Sequence, residues 1–214
     1  CDGDPMHDWV SIFRDHGLDK SLSSRIHVVQ ASWIEIAVCS YSDSGCIVTA
    51  APVRESNGVV VRPQTLGFKP DLVIVRNQPR GPTPGSDRRG SLFGLMSSNL
   101  SSMNSLISEY MQLERPVMNG ALREIEHRVG HEKFPFIPQN YYSGSSSLVI
   151  SPDLPVIMKV GHAHRGMGKM RIESQDAFRD FATVLALHDD YATGEHFIEA
   201  DYGIRIQKIG EHYR

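Results

Sequence analysis

The residues best suited to chemistry lie in one stretch, 154–172, where Lys159 and Lys169 bracket Gly161, Gly166 and Gly168. Glycines let main-chain N–H groups converge on phosphate oxygens, and a lysine at either end of the loop supplies the compensating positive charge. A nucleotide triphosphate asks for both. The loop is not a Walker A motif, which would run G-x-x-x-x-G-K-[ST] straight into a helix. Here Met170 follows Lys169, and the next helix waits until after Ser174. Residues 156–160 alternate around Lys159 and residues 169–172 resume an extended pattern, so the spacing predicts a β-hairpin whose tip carries Gly166, Met167 and Gly168. A plain glycine hairpin with flanking lysines fits this pattern as well as a phosphate cradle does.

Other candidate groups have duller readings beside the sharp ones. His162 and His164 are spaced as a metal pair, yet a catalytic zinc takes three protein ligands and no third is evident nearby. Glu199 and Asp201 read as solvated surface. The run Arg88-Arg89-Gly90-Ser91 has the look of a basophilic kinase site, while Ser91 is expected to cap the helix that follows. Leu92, Leu95 and Met96 read as one core-facing stripe, and Trp9 as the anchor of a first short helix that stops near Gly17.

Several kinds of element must position these groups. Strands are expected at 26–29, 34–38, 59–61 and, most clearly, 71–76, an apolar run bounded by Lys69-Pro70 and by a polar loop, as buried parallel strands usually are. The loop 77–90, with Arg80, Arg88 and Arg89, is expected to be exposed. Helices are expected after Ser91, after Asn104-Ser105, over 117–129 behind Pro116, and over 175–188 with Phe178, Phe181, Ala182 and Leu185 on one face. Residues 134–154, with three prolines, read as a connector. The domain boundary is expected near Asn104.

Composition narrows the class. The 214 residues carry 22 Lys+Arg against 25 Asp+Glu, a formal charge of −3, split almost evenly between the halves, so neither half is a basic platform for nucleic acid. A hydrophobic share of 40% is enough for a real core. No apolar run approaches the roughly 18 residues of a membrane span. Three cysteines, Cys1, Cys39 and Cys46, are odd in number and lack CxxC spacing, which argues for a reducing compartment. A start at Cys1 and an end at Arg214 without tail-like composition suggest a piece of a longer protein.

Three runs taken together resemble the central domain of the synapsins: Pro155 to Lys169 with its Gly161-His162-Ala163-His164 core, Tyr191-Ala192-Thr193-Gly194-Glu195-His196-Phe197-Ile198, and Ile204 to Gly210. Weaker similarity extends through Asn104 to Leu106, Phe134-Pro135 and Lys69 to Val75 back to His7-Asp8-Trp9, nearly the whole chain. The resemblance implies an α/β protein: a Rossmann-like pre-ATP-grasp domain over residues 1–103, then an incomplete ATP-grasp domain over 104–214. It implies ATP as ligand, with Lys159 and Lys169 on the phosphates and Glu195, with the Phe197-Ile198 backbone, as the hinge that reads adenine. Arg115 stands where the family usually has a phosphate-contacting lysine, Gly203 where it has an aspartate suited to ribose, and Arg205 is the second residue beyond. Carboxylates for Ca2+ or Mg2+ would lie past Arg214.

By the same resemblance the protein is expected to be a cytoplasmic, peripheral component of synaptic vesicles. It would tether or cluster them, regulate neurotransmitter release, form homo-oligomers, and touch acidic phospholipid and actin but not nucleic acid. No enzymatic reaction is expected. The alternative is an ATP-grasp ligase joining a carboxylate to an amine through an acyl-phosphate.

Overall fold

The computed structural model describes residues 8–15, 26–41, 43–51, 54–56, 59–61, 66–81, 83, 85–162 and 166–214. The chain divides into two compact units, Cys1–Leu113 and Glu114–Arg214. Helix α1 (Trp9–Asp15) opens the first, with Asp8 as its cap: both Ser11 N–H (3.0 Å) and Ser11 Oγ (2.6 Å) donate to its carboxylate. Trp9 anchors this helix, donating its main-chain N–H to Gln30 Oε1 at 3.0 Å and placing its ring 5.3 Å from the Arg76 guanidinium. The stop expected at Gly17 lies outside the described residues.

Strands β1 (Ile36–Tyr41), β2 (Gly45–Ala50) and, after the hairpin β3 (Arg54–Ser56) and β4 (Val59–Val61), β5 (Leu66–Phe68) form an antiparallel sheet of order β1-β2-β5. A parallel crossover follows: β6 (Leu72–Ile74), α2 (Arg89–Ser97) and β7 (Ser101–Met103), with Leu72 opposite Ser101. This β-α-β passage is what a Rossmann-like layer is made of. Cys46, Val48, Val75, Leu92, Leu95, Leu106 and Leu113 form one buried cluster, so α3 (Leu106–Met111) packs on the first unit's core. Gly94 makes the close approach of α2 to β1 possible, since a Cβ there would come within 2.9 Å of Val38 Cγ1.

Three sequence expectations are corrected here. Residues 26–32 form no strand, and the next three, Trp33–Glu35, form a 3-10 turn rather than the start of β1. The cause is local: Ser32 N–H (2.6 Å) and Oγ (2.7 Å) both donate to Glu35 Oε2, which closes a turn where apolar alternation alone reads as strand. Ser91 does not cap α2, which begins two residues earlier. The Asp87 carboxylate takes the Arg89 N–H at 3.0 Å and the Arg89 guanidinium at 2.7 Å.

The second unit opens with α4 (Arg115–Val129), Pro116 in its first turn and Gly130 closing it at φ +89°. A four-stranded antiparallel sheet of order β10-β9-β11-β8 follows, from β8 (Gln139–Tyr142), β9 (Val156–Val160), β10 (Lys169–Ile172) and β11 (Ala192–His196). Strand β8 arises inside the stretch expected to be a connector. Helix α5 (Gln175–Leu185), capped by Ser174 Oγ accepting Ala177 N–H at 3.2 Å, covers one face of this sheet. Phe178, Phe181 and Leu185 meet Val156, Met158, Ile172, Ala192 and Tyr142 there. Past β11 every residue from 198 to 214 is exposed, including the small hairpin β12 (Lys208–Ile209) and β13 (His212–Tyr213).

Two outcomes test this packing. Phe181 is fully buried, so Phe181→Ala should lower stability by about 3–5 kcal/mol in urea denaturation. The hydrogen bond from Arg89 holds the Asp87 carboxyl below its ordinary pKa. A lowered folded pKa means stabilisation that is present at neutral pH and is lost as pH falls through the carboxylate range. The melting-temperature gap between the parent chain and Asp87→Ala should therefore narrow as pH drops from about 6 to about 3.

Candidate functional site

Side chains alternate across a strand, so the face of the second sheet turned away from α5 is fixed by register. Lys169 is the cross-strand partner of Lys159, Arg171 of Ile157, Thr193 of Lys159, and Glu195 of both Ile157 and Gln139. Lys159, Lys169, Arg171, Thr193, Glu195 and Gln139 thus share one face, while Val156, Met158 and Ala192 point to the helix. The two lysines that flank the glycine loop in sequence stand side by side because the hairpin closes as the spacing predicts.

Charge on this face is arranged rather than scattered. Lys159 Nζ forms an ion pair with Glu195 Oε1, both side chains being about four-fifths buried, and Gln139 Nε2 donates to Glu195 Oε2 at 3.0 Å. Arg171 lies with its guanidinium 3.9 Å from the centre of the Phe197 ring and pairs with Glu173 at 2.6 Å. Thr193 Oγ1 and Gln139 Oε1 are shut off from solvent without a hydrogen-bond partner. Buried polar atoms are nearly always satisfied; the Gln139 amide oxygen only accepts, but the Thr193 hydroxyl can donate, and that hydroxyl beside three cations fits a face that completes its hydrogen bonds with an anionic ligand. The donor set suits phosphate.

The glycine loop springs from a rigid stem. Gly161 sits at φ +48°, a conformation open to glycine, and a Cβ there would run into the Asp190 carboxylate. Its N–H donates to the Tyr191 carbonyl at 2.7 Å, and its carbonyl accepts Arg115 Nη1. Burial pulls the Arg115 guanidinium below its ordinary pKa, opposed by the nearby Tyr191, Glu195 and Asp190. Burial first, then the Glu114 carboxylate that accepts its O–H at 2.9 Å, pushes the Tyr191 phenol well above its ordinary value. At the tip, Gly166 and Gly168 take φ +83° and +61°, Met167 is half exposed, and the Gly168 carbonyl accepts Val160 N–H at 2.8 Å.

Of the residues singled out in the sequence, Lys159, Gly161, Gly168, Lys169 and Glu195 gather on or beside this sheet, and Arg115 joins them through Gly161. Phe197 lies at the sheet's end, but its N–H donates to the Pro155 carbonyl at 2.9 Å, which commits that amide to the sheet. Ile198 and Arg205 lie in the exposed stretch beyond. His162 Nδ1 stands 3.8 Å from Asp190 Oδ2, and His164 falls outside the described residues. Among the described residues no three His, Cys, Asp or Glu side chains converge as a metal site. No helix among them is long and apolar enough to cross a membrane.

Sequence reasoning passed over Arg171, Gln139, Glu114 and Tyr191. The period-two alternation from Lys169 could have supplied Arg171. Nothing local marks the other three, whose partners lie 56 and 77 residues away.

The domain family described as "Synapsin pre-ATP-grasp domain" matches residues 2–102, and "Synapsin, ATP binding domain" matches residues 104–214. Synapsin of Drosophila melanogaster is 33% identical over 215 residues, spanning 99% of this chain and 20% of the relative's own length. Among solved structures, an ATP-grasp RimK domain protein from Sphaerobacter thermophilus is 15% identical, with a TM-score of 0.45 over 61% of this chain and 46% of its own. With both domain families matched in order and nearly the whole chain aligned to a curated relative, the protein belongs to the synapsin family, and its second half is a synapsin ATP-binding domain.

Proposed function

We propose that this chain binds ATP on the polar face of its second sheet, as the nucleotide-binding part of a synapsin that associates with synaptic vesicles, clusters or tethers them, and so regulates transmitter release. The observation that carries the reading is the side-by-side placement of Lys159 and Lys169, with the buried and unpartnered Thr193 hydroxyl across from Lys159. In it Lys159, Lys169 and Arg115 hold the phosphates, with main-chain N–H groups of Gly166, Met167 and Gly168 around them and Gly161, its own N–H held by Tyr191, setting the start of the loop. Glu195 and Ile198 address the base edge, Phe197 offers its ring, and Arg205 completes the charge from the stretch that follows. Bound ATP supplies the polyanion; exchanging its Glu195 partner for phosphate is what Lys159 does.

The domains of this reading are residues 1–103 and 104–214. Ca2+ or Mg2+ would be held by carboxylates other than the described ones. Homo-oligomers, acidic phospholipid of the vesicle surface and actin are its partners, at the cytoplasmic side of the presynaptic terminal. Family membership and the matching ATP-binding domain support this role.

Calorimetric titration with ATP, first with Ca2+ and then with Mg2+, tests it. Saturation near one site per chain is expected, and Lys159→Met should weaken binding by about 1.5–3 kcal/mol, the scale of a charge-assisted contact. Unchanged affinity in that variant would remove Lys159 from the site. Phosphate release that needs both a carboxylate and an amine would instead move the assignment to a ligase.

A further inference from the structure

A closed circuit of contacts runs through Gly161. Its N–H donates to the Tyr191 carbonyl at 2.7 Å; the Tyr191 hydroxyl donates to Glu114 Oε2 at 2.9 Å; Glu114 is bonded to Arg115; and Arg115 Nη1 donates back to the Gly161 carbonyl. Glu114 occupies the N-cap position of α4, where a carboxylate ordinarily accepts an N–H of the first turn, yet it makes no such cap bond. Its acceptor oxygen serves a phenol 77 residues away instead. The Tyr191 ring is held in turn against Tyr141, with centroids 5.7 Å apart, and the Tyr191 N–H donates to Asp190 Oδ1 at 2.8 Å.

From this geometry we infer that Glu114 and Tyr191 are positioning residues: they aim the Arg115 guanidinium and fix the first glycine of the loop, so that the anionic part of the ligand meets a preformed site. The inference rests on the nucleotide reading above. An arginine on a long stem loses rotamer freedom whenever it binds, and a stem pinned from both ends loses less at that moment. The neighbouring carboxylate of Glu114 is turned away to the phenol, which directs the acid and the adjoining base of the Glu114-Arg115 pair to different partners. Neither positioning residue need touch the ligand. Their effect should be confined to ligands that carry phosphate.

The test is calorimetry on the full 214-residue chain with ATP and with adenosine as separate probes. Tyr191→Phe, which keeps the ring and removes the hydroxyl, should weaken ATP about tenfold and leave adenosine unchanged. In an Arg115→Met background the same substitution should cost nothing further, because its effect passes through Arg115. Glu114→Gln, which keeps an acceptor oxygen, should retain the affinity that Glu114→Ala loses. Unchanged ATP binding in Tyr191→Phe, or equal loss of ATP and adenosine, would overturn the assignment. If the parent chain binds no ATP, the nucleotide reading itself falls, and amide hydrogen exchange decides the circuit separately. Faster exchange at Gly161 in Tyr191→Phe upholds it, and an unchanged rate refutes it.

Discussion

The pairing of β9 with β11 is the constraint on which the second unit depends. Both strands are internal to the sheet, so each side-chain position is assigned by register to one of two environments, the α5 core or the cationic face. A slip of one residue would carry Val156, Met158 and Ala192 out to solvent and press Lys159 against Phe181. Burial of the apolar set holds the lysines in place, and the chemistry of one face is underwritten by the packing of the other. Glu195 adds a second restraint, engaging Lys159 on one side and Gln139 on the other.

Much of this was legible because the signals are local. A strand that alternates around Lys159, a tip of glycines, a helix start after Ser174 and four apolar positions at helical spacing fix the hairpin and α5 without reference to anything distant. The family was legible for the same reason, its motifs being contiguous runs. Strand β8 was not. Gln139-Asn140-Tyr141-Tyr142 has little apolar content, and it is a strand because β11 pairs with it. The 3-10 turn at Trp33–Glu35 shows the opposite failure, in which apolar alternation was real but a serine–glutamate contact overrode it. Arg115 was found through its place in a family motif, whereas its bond to Gly161 spans 46 residues and leaves no trace in local composition.

The first unit is built on different terms. Its antiparallel strands and the parallel crossover found among the described residues share one core, and the approach of α2 to β1 is set by Gly94, where the Ser40 hydroxyl also donates to the glycine carbonyl. Helix α3 belongs to that core through Leu106, so packing divides the chain after Leu113, whereas the two domain families meet near residue 103. Packing and ancestry assign α3 differently, and Leu106 is the residue that makes the packing assignment.

The order of the strands in the second sheet also imposes an order in time. The β9–β10 hairpin joins neighbours in the chain and can close early, with α5 following directly to cover it. Strand β8 has no such partner beside it: its ladder is made with β11, and Gln139 meets Glu195 only across a separation of 56 residues. Closing so long a loop is costly until the core on the helix side is already formed. On loop-closure grounds the outer strand β8 is expected to dock last, bringing Gln139 to a Glu195 already paired with Lys159, so the cationic face would reach its finished form only at the end of folding.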